Sequence, residues 1–377
     1  MKNYTFIIAI LVLFAYLSLS KKEKPKNRWP NRRILLTDDT SSLENCCKRA
    51  DSFGIKVIKQ LPFISGMVCE MEDGQDHMLL TQNQSFTIEN DAKVFIVDDY
   101  LYTTAIATDT INLTGAPYLW KRTKGQGISV AVIDTGISQH PDLKIVDGVS
   151  TLGDVNTDDY LDDNGHGTHV AGVIAANGGN RGILGMAPDV ELFAIKALDK
   201  DGSGFVSDIV EGIAWAIEKK AHIANLSLGT SESSEALQRA VRKAAFSPTI
   251  LVAAAGNTGQ TNDPSVLFPA RYSEVISVGS VNNRGVFSSF SSYGKELDIL
   301  AYGENILSTY LGKSYRRESG TSMAAPQISG ALALILGLGY RNRDALRLLY
   351  KSAKKLQLPK EKQGQGLIDL SMFSGQY

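Results

Sequence analysis

From about residue 105 onward, apolar positions follow two alternating rhythms. Unbroken apolar runs at 128–133, 190–198, 221–228, 249–255 and 275–280 read as strands buried on both faces, because a strand with one wet face would alternate. Between them, residues 166–176, 207–219 and 234–246 read as helices. In the second of these, Ile209, Val210, Ile213, Ala216 and Ile217 share one helical face, and Ser207 is placed to cap it. This alternation predicts an α/β fold of three layers, with a mostly parallel sheet and right-handed crossovers. Residues 341–356 add an amphipathic helix, and 364–370 a closing segment.

The first hundred residues differ. Lys2 precedes an apolar run from Tyr4 to Leu19, and Ser18 and Ser20 are small residues three and one positions before a cleavage point. This predicts a cleaved export signal and a secreted product. The alternative is a membrane anchor through residues 4–20, since the run approaches the ~20 residues of a span and Lys21, Lys22, Lys24 and Lys26 follow it. Apolar runs at 33–36, 55–58, 67–71 and 94–97, with a helical pattern over 42–53, then predict a small α+β module.

Composition narrows the function classes only a little. The 377 residues are 43% hydrophobic and 21% charged with a formal net charge of −1, so no basic patch or acidic tail argues for nucleic acid. No internal repeat is visible. All three cysteines, Cys46, Cys47 and Cys69, precede residue 105. Adjacent cysteines seldom pair, so at most one bridge, to Cys69, is expected. A cysteine nucleophile is excluded from the larger part of the chain.

Three segments carry an acid, a base and a nucleophile in that order: Asp134-Thr135-Gly136, His166-Gly167-Thr168-His169-Val170-Ala171-Gly172, and Gly320-Thr321-Ser322-Met323-Ala324-Ala325-Pro326. A serine hydroxyl is a poor nucleophile at neutral pH; an imidazole must take its proton, and a carboxylate must fix the tautomer of that imidazole. Asp134 ends the strand 128–133, at its C-terminal end, which is the end where open α/β sheets bind ligands. His166 follows the polar loop 158–165 and opens a helix, and His169, on nearly the same face, reads as a hydrogen-bonded packing residue. Ser322 heads the apolar run 323–336, a core helix ending near Gly337 and Gly339, with Pro326 in its first turn. Helix N-termini offer backbone donors and a dipole to a developing anion. Each segment alone has a bland alternative: Asp-Thr-Gly also occurs in aspartic proteases, paired histidines can bind metal, and Gly-Thr-Ser can be a turn. All three in this order read as a serine protease.

That order and the two seven-residue motifs resemble the subtilisin-like serine proteases, or subtilases, over roughly residues 105–376. The resemblance implies an Asp134, His166 and Ser322 triad, with Asn257, after Ala253-Ala254-Ala255-Gly256, as the oxyanion amide. It implies that Gly202, Ser203 and Gly204 on one side and Ser227, Leu228 and Gly229 on the other pair with an extended peptide, through main-chain bonds that accept many sequences. The pocket for the side chain before the scissile bond would be lined by Ala253, Ala254, Ala255 and the loop leading to Phe268-Pro269. Leu267 stands there where relatives often carry glycine, which predicts a shallow pocket for small or medium apolar side chains. Asp142, in His140-Pro141-Asp142-Leu143, matches an aspartate of the family's calcium site, and Ca²⁺ wants about six to eight oxygen ligands. Residues 177–183 would supply most of the others, but Gly179 falls on a frequent asparagine ligand, with Asn180 a substitute, and Arg181 brings a positive charge. Asp142 as an ordinary turn residue is the alternative.

The module ahead of a subtilase resembles the family's propeptide, with Ile96-Val97-Asp98-Asp99-Tyr100 as its closing strand and a maturation cut between Tyr102 and Thr108. A permanently attached accessory domain is the alternative. The resulting expectation is an exported serine endopeptidase, monomeric, with a signal peptide over 1–20, a propeptide over 21–104 and a catalytic domain over 105–377. It would act on protein or peptide substrates, be inhibited by its own propeptide and hold calcium as a structural ion. It would bind no nucleic acid and meet a membrane only if residues 4–20 are retained. A catalytically silent relative used for binding, and a tethered protease maturing one partner, are the rival functions.

Overall fold

A computed structural model describes residues 31–50, 54–71, 86–96, 110–153, 156–179 and 182–375. The expected signal or anchor, the closing strand beyond Ile96, the 102–108 window, Asn180 and Arg181 lie outside the described residues.

The larger part is built on seven parallel strands in the order β14-β13-β12-β10-β6-β8-β7. These are β6 (Ser129–Asp134), β7 (Ile145–Ser150), β8 (Glu191–Lys196), β10 (Ile223–Leu226), β12 (Ile250–Ala254), β13 (Ile276–Val281) and β14 (Ile299–Tyr302). β6 is buried at all six positions, which is why its sequence does not alternate. Two helices, α2 (His166–Ala175) and α5 (Thr321–Gly337), pack against each other on one face, α5 crossing β10, β12, β13 and β14. On the other face α3 (Val206–Glu218) packs against α4 (Glu235–Ala245). The three-layer α/β expectation therefore holds. Strand β7 and a hairpin of β15 (Ile306–Tyr310) and β16 (Ser314–Glu318) carry no strong apolar run and lie outside the expected strands, as does β14, although its Ile299-Leu300-Ala301-Tyr302 is apolar and buried throughout.

Two local expectations change. α5 starts at Thr321, so Pro326 lies inside the helix, not in its first turn. It supplies no amide to the Ser322 carbonyl four residues back, and Ser227 Oγ donates to that carbonyl instead, at 2.9 Å. Ser207 likewise lies inside α3; the Asp208 carboxylate accepts from the Phe205 amide at the helix start, at 3.0 Å.

The N-terminal module has a four-stranded sheet, β2-β3-β1-β4, formed by β1 (Arg32–Thr37), β2 (Lys56–Leu61), β3 (Gly66–Glu70) and β4 (Phe86–Asn90), with α1 (Thr40–Ala50) on one face. Alternate residues divide between two cores. Leu35, Met67 and Cys69 pack with Leu43, Cys46 and Ala50 of α1, whereas Ile34, Leu36, Leu61 and Val68 join the core of the larger part. The three cysteines are thiols, and burial pushes Cys69 up to about 12.

Charged groups complete the docking. Glu89 accepts from Ser234 Oγ, Glu235 N and Ala236 N at the start of α4, at 2.8, 2.8 and 2.9 Å. Asp91 accepts from Ser207 N and Oγ at 3.0 and 2.6 Å and from Arg32 Nε at 2.5 Å. Carboxylates at helix N-termini meet unsatisfied amides and the positive end of the dipole. Buried Lys59 reaches across to Asp208 and Glu211, both at 2.8 Å. Burial pushes the Asp208 carboxyl up to about 6 against the pull of Lys59.

Candidate active site

Asp134, His166 and Ser322 come from the end of β6, the first residue of α2 and the second residue of α5. All three are buried, at 0, 2 and 0% exposure. His166 Nδ1 lies 2.6 Å from Asp134 Oδ1, which also accepts from the Thr135 amide at 2.7 Å. Burial pushes the Asp134 carboxyl up, and the imidazole pulls it back down. The close approach of the start of α2 to Tyr310 on one side and to the end of β6 on the other demands glycine at two places. Gly165 has φ +110°, and a Cβ there would meet the Tyr310 ring at 2.3 Å; a Cβ on Gly167 would meet the Gly136 carbonyl at 2.1 Å.

Ser322 Oγ donates to the Ser227 carbonyl at 3.0 Å. Asn257 follows β12 closely, and its Oδ1 accepts from Thr321 N and Thr321 Oγ1, both at 3.0 Å. An N–H can only donate, so this contact fixes which end of the Asn257 amide is the carbonyl and turns its NH₂ end away from Thr321. The Thr321 hydroxyl also accepts from the Gly256 amide at 3.1 Å. His169 is fully buried, and its Nε2 lies 3.0 Å from the Ile306 carbonyl and 3.1 Å from that of Arg316, in keeping with a packing role.

The expected peptide-binding segments form two short strands, β9 (Ser203–Phe205) and β11 (Leu228–Gly229), with Gly202 just before the first and Ser227 just before the second. Between them lies β5 (Lys93–Ile96) of the N-terminal module, antiparallel to both. Ile96 pairs with Leu228 and Phe95 with Gly229, while the Ile96 amide donates to the Gly202 carbonyl at 3.0 Å. A pocket beside this strand, about 370 Å³, is lined by Phe95, Ile96, Gly229, Asn257, Thr258 and Leu267. Ala254 is buried in β12. Leu267 packs so close to two glycines that a Cβ on Gly229 would meet its Cβ at 3.0 Å and one on Gly256 its Cγ at 2.7 Å.

Asp142 stands apart from this group. It is 1% exposed, and its Oδ2 accepts from the Ile183 amide at 2.9 Å and the Tyr315 hydroxyl at 2.8 Å. Burial and the Asp142 carboxylate push that hydroxyl up to about 12, so it remains a donor. Asp142 Oδ1 is buried and has no hydrogen-bond partner among the described residues. An orphaned carboxylate oxygen suits a cation. No group of three or more His, Cys, Asp or Glu side chains that could hold a metal occurs among the described residues, so the remaining ligands would be backbone carbonyls or neutral side-chain oxygens.

Residues that sequence reasoning passed over include Thr321, which orients Asn257, and Glu89 and Asp91, which dock the module. Only their side-chain types and their places beside motifs or helix starts hinted at these roles.

The family model of the subtilase family matches residues 125–367, which contain every triad candidate and Asn257. The chain belongs to the subtilase family. This subtilase is 45% identical to a thermostable alkaline protease of Halalkalibacterium halodurans over 246 residues, 65% of this chain and 66% of that protein. It is 37% identical to subtilisin NAT of Bacillus subtilis subsp. natto over 337 residues, 88% of this chain and 87% of that one. With the minor extracellular protease Epr of Bacillus subtilis it shares 35% identity over 351 residues, 89% of this subtilase and only 53% of Epr.

Proposed function

We propose that this subtilase is an exported serine endopeptidase made as a self-processed zymogen. The observation that carries the reading is β5, a strand of the chain's own N-terminal module, held between the two segments expected to bind an extended substrate and ending opposite Leu228, next in sequence to the Ser227 whose carbonyl meets Ser322 Oγ.

In this reading His166, held by Asp134, takes the proton from Ser322 as its oxygen attacks the peptide carbonyl. The Asn257 amide and the Ser322 N–H stabilise the oxyanion. His166 then protonates the leaving amine, and water releases the acyl group by the same route in reverse. Leu267 limits the side chain before the scissile bond to small or medium apolar groups. Substrates are proteins or peptides in extended conformation, and the module inhibits until it is removed. Asp142, with carbonyls of its neighbouring loop, would hold a structural calcium that braces that loop; no catalytic step uses the ion. Export rests on the leader-like residues 1–20 and on the extracellular name of the Epr relative. Among the described residues no helix is long and apolar enough to cross a membrane.

Register also bears on where the first cut falls. Ile96 pairs with Leu228, and the next position toward the nucleophile, Ser227, is the one whose carbonyl meets Ser322 Oγ. Counting one residue onward in the sequence makes Val97–Asp98 the expected bond, ahead of the window from Tyr102 to Thr108. Mass spectrometry of the expressed wild type beside Ser322→Ala tests the reading. It is supported if the wild type yields a species starting at Asp98 or within 102–108 while the mutant keeps its module. Two uncut chains at neutral pH with calcium would overturn it.

A further inference from the structure

The loop before His166 carries a carboxylate that the mechanism above leaves unused. Asp162 is only 7% exposed and accepts five hydrogen bonds. Its Oδ1 accepts from Thr135 Oγ1 at 2.9 Å, Asn164 N at 2.9 Å and Gly165 N at 2.8 Å. Its Oδ2 accepts from Thr168 N at 2.9 Å and Thr168 Oγ1 at 2.6 Å. Helix capping alone would need one or two of these.

The donors are placed in a telling way. Thr135 directly follows Asp134, Gly165 directly precedes His166, and Thr168 lies in the first turn of α2. Thr135 Oγ1 also accepts from the Gly167 amide at 2.9 Å, so a chain of three groups joins the end of β6 to both neighbours of His166. One buried carboxylate thus ties together the two segments that hold the acid and the base.

Its charge matters as well as its shape. Asp162 adds to the negative field around Asp134. The other charged or titratable groups nearby are His166 itself, the Lys196 and Asp163 pair at 2.6 Å, and Tyr310 with Arg316 and Glu318 on the β15 and β16 hairpin. A fixed carboxylate in this place favours the imidazolium that His166 becomes on accepting the serine proton.

We propose that Asp162 is a positioning residue for this reaction: it fixes the Asp134 and His166 geometry through Thr135, Gly165 and Thr168, and its charge stabilises protonated His166. The proposal rests on the triad reading given under Proposed function. The test is Asp162→Asn in the full chain, with active sites counted by a serine-directed sulfonyl fluoride and kinetics followed on a peptide anilide across pH. Misplaced groups of this kind cost up to about 10²-fold. The expected result is kcat per titrated site lower by roughly 10- to 100-fold, KM little changed, and an acid limb moved to lower pH. Thr135→Val, which keeps the charge but cuts the link to Gly167, should lower kcat without moving that limb. Unchanged kcat and limb per site in Asp162→Asn would overturn the proposal. If that variant does not fold, Thr135→Val and Thr135→Ser decide: loss in the first with recovery in the second supports the link, and equal kcat overturns it. A wild type that never reacts with the sulfonyl fluoride would overturn the triad reading itself, a distinct failure.

Discussion

The Ile96 amide donates to the Gly202 carbonyl at 3.0 Å, joining residues that are 106 positions apart in the sequence and belong to different parts of the fold. Together with the pairing of Ile96 to Leu228, it inserts a strand of the N-terminal module between β9 and β11, which the proposed function reads as occupation of the substrate cleft. The module's hold therefore depends on main-chain donors that a substrate would also supply.

Replacing Ile96 by proline removes this donor. A net hydrogen bond is worth about 1 kcal/mol, so inhibition of the processed enzyme by its cut segment should weaken about fivefold. Progress curves at increasing total chain concentration would show it, and an unchanged inhibition constant would refute the role given to the bond.

Asn257→Ala should lower kcat by on the order of 10²–10³ with little change in KM, the range measured for the equivalent amide in a subtilisin. Steady-state kinetics on a peptide anilide, normalised to titrated sites, is the check.

Leu267→Gly should open the space that Leu267 fills beside Gly229 and Gly256. Removing apolar bulk from a specificity pocket is worth roughly 1–3 kcal/mol, or about 10- to 200-fold. Cleavage after phenylalanine should rise by that order relative to cleavage after alanine; a ratio that stays put would place the pocket elsewhere.

Asp298, whose Oδ2 accepts from the Ser277 amide at 2.9 Å, has its carboxyl pushed up to about 6 by burial. A value raised above the unfolded 3.8 means that folding takes up a proton; this contribution to stability is full below about pH 4 and lost as pH rises through 6. Asp298→Asn removes the alkaline penalty, so it should raise stability by roughly 1–3 kcal/mol at pH above 6 and show little gain near pH 4. Thermal unfolding in a Ser322→Ala background, where autolysis is absent, would measure the difference at both ends.

Calcium should raise the unfolding temperature of the same inactive chain, because an ion that binds only the native state stabilises it by mass action. Asp142→Asn should abolish that rise. A calcium shift that survives the substitution would move the ion to another site.

Much of the larger part was legible because its signals are local. β6, α2 and α5 each announce themselves by a short apolar run, and the chemistry-bearing residues Asp134, His166 and Ser322 stand at the ends of those runs, where loop and element meet. What could not be read was pairing between distant segments. The run over 94–97 announced a strand of the module but not its partners: β4 takes the place beside β1, and β5 leaves to pair with β9 and β11. Period-two burial says that a strand exists and cannot name its neighbour. For the same reason Ser207 looked like a cap: its cap partner, Asp91, lies 116 residues earlier. Asp162 was hidden in an acidic loop where nothing local separates it from Asp158, Asp159 or Asp163.

The missing amide of Pro326 has a mechanical consequence. A regular helix would keep the Ser322 carbonyl for itself; here the carbonyl accepts from Ser227, between β10 and β11, while the Ser322 hydroxyl points back at the Ser227 carbonyl. The head of α5 and the segment between β10 and β11 are thus clamped by two reciprocal bonds between one pair of serines. A shift of the head of α5 along its axis would have to break both bonds or move the 227 segment too, so the two serines keep their spacing.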